Sequence, residues 1–545
     1  AEQQEMGFRM GLVHGCVLLF ALSGTLVGCF PRWQVEQEAH DFMEPFSLLN
    51  PAAVRIFDFE SQKLQASPSV LSYSGEAVTV TWDGLPPAAS QHWVGVYLVS
   101  DDVTKTVPMR YQMIKTAQQR SLSFKVMNMR EDVVFYLFSG TLDQPLVLGR
   151  SNVVMVANKK FPTGGRLALT NNSSRIKVTW TSVWMEPKQQ VLYGTTKGKP
   201  DRIATADEVV SYKRGDMCGG AATTVGYRDP GVFYTAVLDL HGVQPRQRVY
   251  YRFGSKEAGW SSEYALHAPP SSPPSLPSVV QDGAEHDDKE AVTVLAFGDL
   301  GTDTGDGSQQ HWNAPASANT TNAMLRHITE EEGGRSAYVL HIGDIAYAIG
   351  YASVWEQFHL QIEPVATAVP WMVAVGNHER DWPGTQSKGY NDSGGECGVP
   401  FMRRFSMPYH GEDSPWYSFE YGAVHNIVLS TEHDFASQTP WLLNDLQNVD
   451  RTRTPWVVVS CHRPLYISST NTRPVDGDQT LAAQLRAAWE DLLVRFHVDL
   501  VLTGHHHSYQ RTCAVINGTC VIPPVPGQYA GPVYVVAGGG GVAGP

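Results

Sequence analysis

The feature that most restricts how this chain can fold is a set of five apolar runs in its second half, each ending in a residue able to hold a metal ion. Val292–Phe297 leads into Gly298-Asp299, Ala337–Ile342 into Gly343-Asp344, and Trp371–Val375 into Gly376-Asn377-His378-Glu379. Trp456–Ser460 leads into Cys461-His462, and Val498–Leu502 into Thr503-Gly504-His505-His506-His507. Continuous apolar runs mark strands covered on both faces, and helical stretches such as Leu481–Val494 lie between some of them. That combination predicts an α/β domain. In open α/β sheets ligands bind beyond the carboxyl ends of the strands, so ends carrying Asp, Asp, Asn, His and His predict one shared site. A single Gly-Asp after a strand is usually a turn; five ordered ends closing on Gly-His-x-His are not explained by turns.

The residue types suit a particular chemistry. Carboxylates and imidazoles match hard-to-borderline cations, and one carboxylate can bridge two ions. Asp344 is the natural bridge, with Tyr347 expected one helical-type turn later on the same side. A phenol has an intrinsic pKa near 10, so it ligates well only to a strongly acidic ion such as ferric iron. Two ions about 3.5–4 Å apart clamp a phosphoryl group and deprotonate water at mild pH. The net charge of −13 argues against a nucleic-acid backbone as the main partner. An anionic chain that handles phosphate needs local positive charge, which bound metals would supply.

At 545 residues the chain is too long for one core, so two to four domains are expected. Short alternating runs between about 50 and 160, such as Val78-Thr79-Val80-Thr81-Trp82 and Trp93-Val94-Gly95-Val96-Tyr97, predict a β-sandwich. A second unit opens with Ile176–Trp180 and closes with Val249–Arg252, and Leu240–Pro245 resembles the tyrosine-corner region of fibronectin type III domains. Pro269–Pro277 and the acidic stretch Glu285–Glu290 read as a linker. The expected division is therefore 1–30 as a signal peptide or signal anchor, 31–162 as a β-sandwich, 163–268 as the fibronectin-like unit, 269–290 as a linker, and 291–545 as the α/β domain.

The signal reading rests on Arg9 followed by the apolar segment Gly11–Phe30. His14, Gly15 and Ser23 weaken it as a stable membrane span, so none is expected unless the segment is retained. Sequons at Asn171, Asn172, Asn319, Asn391 and Asn517 join it in pointing to a glycosylated protein of the secretory route, either secreted, vacuolar or on the cell surface. Cys513 and Cys520 flank an Asn-Gly turn as a hairpin disulfide would. Cys218 and Cys397 could pair across domains, leaving Cys461 free. Cys461 precedes His462 on a strand, so alternation turns it to the opposite side as a buried apolar group. His506, between two candidate ligands, is expected to point away.

The five blocks resemble the purple acid phosphatase branch of the metallophosphoesterases. That family's pattern appears here as Asp299-Leu300-Gly301, Gly343–Tyr347, Gly376–Glu379, Val459–His462 and Gly504–His507. The resemblance implies that Asp299, Asp344, Tyr347 and His507 hold Fe(III), and that Asp344, Asn377, His462 and His505 hold a divalent Zn, Mn or Fe. It implies an acid phosphatase that hydrolyses small phosphate monoesters by in-line attack of a metal-bound hydroxide, with a ββ-sandwich flanked by helices as catalytic domain. His378 would stand beside the phosphate, with His433 a second candidate for proton donation. Asp216–Gly219, Tyr227–Gly231 and Gly395–Pro400 resemble the large plant-type subgroup, some members of which are nucleotide pyrophosphatase/phosphodiesterases. That activity on the same metals is the alternative, and a catalytically dead cell-surface binding protein is a more remote one. Homodimers occur in the family. Two departures stand out. Tyr466-Ile467-Ser468-Ser469 occupies the place where smaller plant members carry a His pair, and the chain stops at Gly538–Pro545, where relatives usually continue into further strands.

Overall fold

The computed structural model describes residues 49–56, 63–85, 91–271, 292–330, 336–381, 392–474, 477–523 and 528–542, and the backbone of 6–13 and 16–23. The Glu285–Glu290 part of the linker, the Asn391 sequon and the last three residues lie outside the described residues.

The first domain is a sandwich of a five-stranded sheet and a three-stranded sheet. The alternation expected at Glu76–Trp82 is realised: Val78, Val80 and Trp82 are buried and the threonines between them exposed. The neighbouring expectation differs, because His92–Leu98 is buried at every position. Its Val94, Val96 and Leu98 face the sandwich interior, whereas Trp93 and Tyr97 belong to the core that runs on into the other domains. An outer face that docks on a neighbour loses its solvent side, and the period-two signal loses its meaning there.

The second domain pairs a four-stranded sheet (Thr163–Leu169, Arg175–Ser182, Val232–Asp239, Glu208–Val210) with one built on Gln190–Gly194 and Arg248–Ser255. Tyr251, on the closing strand, donates its hydroxyl to the Thr367 carbonyl of the third domain at 2.7 Å.

The third domain is two sheets face to face with helices outside. One contains Val292–Phe297, Ser336–Ile342 and Trp371–Ala374 in parallel. The other runs Tyr417–Tyr421, Val424–Val428, Trp456–Ser460, Leu500–Thr503, Val533–Ala537 and Tyr509–Ile516. The five strands expected from sequence thus divide three and two between sheets. The helical stretch at Leu481–Val494 is a helix from Asp478 to Arg495 whose middle turn, Arg486–Glu490, is a π-turn. Residues 6–13 and 16–23, within the segment read as a signal, form an antiparallel hairpin whose second strand lies antiparallel to Val292–Phe297. Among the described residues no helix is long and apolar enough to cross a membrane.

Buried charge and close backbone contact tie the three domains together. Glu356 of the Ala352–Ala366 helix takes Arg130 of the first domain at 3.1 Å and Arg404 at 2.8 Å. Arg404 in turn donates to the Tyr212 hydroxyl of the second domain, and its carbonyl accepts from Arg166. Arg228 reaches back to Asp101 at 2.8 Å. The Cys218–Cys397 disulfide joins the second domain to the third, flanked by Cys218 N–H to Gly395 O (2.9 Å) and Ala222 N–H to Gly394 O (3.0 Å). Gly394 has φ +61°, and a Cβ there would collide with the Ile349 carbonyl, so only glycine fits.

Candidate metal centre

Each strand hands over to a tight loop that turns its polar residue back over the sheet edge. Four of these residues have left-handed backbone: Asp299 (φ 62°), Asp344 (φ 51°), Tyr347 (φ 50°) and His505 (φ 68°). Such conformations are costly for residues other than glycine and gather where a site requires them. They also correct the expectation for Tyr347. It reaches the same side as Asp344 through a loop, 343–350, in which Gly343, Asp344, Tyr347, Ile349 and Gly350 are left-handed, not through a helical turn. Gly376 is required for space, since a Cβ there would strike the Asp344 carboxylate.

The candidate side chains converge as two groups. In the first, Tyr347 Oη lies 3.2 Å from Asp299 Oδ1 and 3.0 Å from His507 Nε2, which is itself 3.4 Å from Asp299 Oδ1. In the second, Asn377 Oδ1 lies 3.1 Å from His462 Nε2 and 3.0 Å from His505 Nδ1, and His462 Nε2 is 3.3 Å from Asp344 Oδ1. The donor atoms of Asp344, His462 and His505 all lie within 4.8 Å of one another. The backbone joins the groups, because the His505 N–H donates to Asp299 Oδ2 at 2.9 Å.

This donor set fits a pair of cations. Asp299, Asp344 and Glu379 are all buried in one small volume. Burial would raise the Asp344 carboxyl, but His462 and His378 hold it well below its ordinary value. Burial and the Asp344 charge push Glu379 well above its own. Burial, Asp299 and Asp344 likewise push the Tyr347 phenol far up, so only a strongly acidic cation would draw its proton off. The His462 ring receives its orientation from the Ile342 carbonyl, 2.9 Å from Nδ1, which leaves Nε2 facing the centre.

His378 sits at the rim. Its Nε2 is 3.8 Å from Asp344 Oδ2, its Nδ1 is 2.9 Å from the Asp392 carbonyl oxygen, and its ring leans on Tyr347. His433 is buried, with Nδ1 2.6 Å from Ser430 Oγ and Nε2 3.3 Å from Asp413 Oδ1; none of the seven converging residues is among these partners. His506 turns to Ser508 and Gln510, away from the cluster. Cys461 is a free thiol in the apolar core beneath the second sheet.

Several further residues take part, most of them unmarked in the sequence. Glu379, quoted there only as part of its motif, accepts from Ile345 N–H (2.8 Å) and Gly376 N–H (3.0 Å) and so locks two of the loops together. Arg463, which the sequence leaves open between a phosphate contact and a surface charge, is buried, paired with Glu432 at 2.8 Å, and its Nη1 lies 3.2 Å from His505 Nε2. Asp392 approaches Asn377 Nδ2 at 3.4 Å, and Asp478 approaches His505 Nε2 at 3.6 Å. Asp392 and Asp478 carry no signal in the sequence.

Residues 292–509 match the calcineurin-like phosphoesterase family, and residues 162–268 match the purple acid phosphatase N-terminal domain. The chain is 34% identical to "Probable inactive purple acid phosphatase 24" of Arabidopsis thaliana, over 88% of this chain and 80% of that one. It is 36% identical to a "Nucleotide pyrophosphatase/phosphodiesterase" of Hordeum vulgare, over 52% of this chain and 73% of the other. Among solved structures it resembles purple acid phosphatase PPD1 from yellow lupin seeds. That match has a TM-score of 0.76 and 32% identity, covering 89% of this chain and 87% of that one.

Proposed function

Since the chain belongs to the purple acid phosphatase family, whose chemistry is phosphoester hydrolysis, we propose that it hydrolyses small phosphate monoesters at a dinuclear Fe(III)–M(II) centre, M being Zn, Mn or Fe. The observation that carries this reading is that all seven expected ligand positions are filled and gathered into two donor groups. Asp299, Tyr347 and His507 would hold ferric iron and Asn377, His462 and His505 the divalent ion, with Asp344 shared. Bound together, such ions polarise the phosphoryl oxygens and bring the deprotonation of water to mild pH.

The chain's own residues supply the rest. His378 has Nδ1 held by the Asp392 carbonyl oxygen, and its rim position suits it to stabilise charge on the phosphoryl group or to protonate the leaving group. His433 has both nitrogens engaged by neighbours, and we assign it to holding the Ser430–Asp413 wall. The two disulfides support passage through the secretory route.

Two competitors are kept apart by one assay series. The purified protein is expected to turn over p-nitrophenyl phosphate several-fold faster than the bis-ester and to contain iron. A faster rate on the bis-ester would move the assignment to a phosphodiesterase, the activity named for the barley relative. Absence of bound metal would favour an inactive protein, as the Arabidopsis relative is named. The iron assignment has its own check: Tyr347→Phe should lose the visible phenolate-to-iron absorption while retaining iron. A band that persists in that variant would place the chromophore elsewhere.

A further inference from the structure

We infer that Asp478 is a positioning residue that sets His505 in the ring form able to hold the divalent ion, an inference that rests on the metal-centre reading above. A neutral imidazole has one N–H and one lone pair, and a metal takes the lone pair. His505 Nδ1 is the nitrogen turned into the centre, 3.0 Å from Asn377 Oδ1. For Nδ1 to ligate, the proton must reside on Nε2 and needs an acceptor there.

Nε2 has two polar neighbours of opposite character. Arg463 Nη1, at 3.2 Å, can only donate, so contact with it favours the Nε2 lone pair and a proton on Nδ1 directed at Asn377 Oδ1. That ring form cannot ligate. Asp478 Oδ1, at 3.6 Å, can only accept and favours the opposite form. Arg463 is committed elsewhere through Nε at 2.8 Å and Nη2 at 3.3 Å to Glu432. Asp478 is the acceptor on this side. It opens the Asp478–Leu485 helix, and its Oδ2 is oriented by Ser469 Oγ at 2.6 Å. Closing the gap to hydrogen-bond distance takes a shift on the order of half an ångström. Once a cation occupies the Nδ1 side, the Arg463 contact has no lone pair to meet and the Asp478 contact gains a proton.

The test uses the full chain, with Zn2+ affinity measured by competition against a chromophoric chelator and with iron content and the visible band followed in parallel. Asp478→Ala, which removes the acceptor, should weaken Zn2+ binding by about 10–100-fold while iron and colour remain. Ser469→Ala, which frees the carboxylate without removing it, should weaken binding by less and in the same direction. Equal Zn2+ affinity in wild type and Asp478→Ala overturns the inference alone. So does a variant that loses iron and Zn2+ together with a lowered unfolding temperature, because that is a folding defect. A wild-type protein that binds no divalent ion overturns the underlying reading.

Discussion

Asp344→Asn is expected to lower kcat/KM on p-nitrophenyl phosphate by at least about a thousandfold, the rate equivalent of several kcal/mol of lost charge stabilisation. Asp344 is the one residue shared by both donor groups in the proposed centre, with Oδ1 facing His462 Nε2 and both Tyr347 and His378 close by. An amide of the same shape removes the bridging charge and one of its two metal-binding oxygens. The substitution is unusually clean for folding. Position 344 has φ 51°, and asparagine is among the few residues that tolerate left-handed backbone. The His378 N–H that donates to Oδ1 at 3.0 Å can still be accepted by the amide oxygen. The unfolding temperature of the metal-stripped proteins should therefore be similar while metal content and turnover collapse. Retained turnover would show that the two ions do not share this carboxylate.

The second large effect is structural and lies outside the metal centre. Glu356→Gln is expected to cost about 3–5 kcal/mol, because it leaves the buried guanidinium groups of Arg130 and Arg404 without their counter-charge. Burial would raise the Glu356 carboxyl, yet Arg130 and Arg404 hold it below its ordinary value. A depressed carboxylate stabilises fully above its unfolded pKa, and that contribution is lost only as the pH falls through the depressed folded value. The tie should therefore persist through mildly acidic conditions. Because Arg130 comes from the first domain and Arg404, which also donates to Tyr212 of the second, from the third, loss of Glu356 should make the first unfolding transition appear at lower denaturant. A separate, uncoupled transition for the N-terminal sandwich is also expected. An unchanged transition would mean that the domains are held by their apolar contacts alone.

The sequence made the metal centre legible because each donor sits at the end of a continuous apolar run, where local pattern and tertiary position coincide. Tyr347 was readable for the same reason, although the left-handed loop that delivers it was not, since backbone handedness at Asp, Tyr and His leaves no compositional mark. The residues that aim the donors were hidden. Asp478 meets His505 across 27 positions, and Glu356 meets Arg130 across 226. Pairings set only by how finished domains dock have no periodicity to betray them. The same cause explains His92–Leu98, whose outward face was covered by a neighbour that the alternation could not announce.

The disulfide between Cys218 and Cys397 has a practical bearing on how this protein can be taken apart. Cys397 lies five residues after Asp392, and Asp392 is the neighbour of both Asn377 and His378. The wall on that side of the donor cluster is therefore braced from another domain. Anyone grafting the α/β half onto a different scaffold would have to transplant the stretch around residue 218 with it, or receive a donor cluster with one side unsupported.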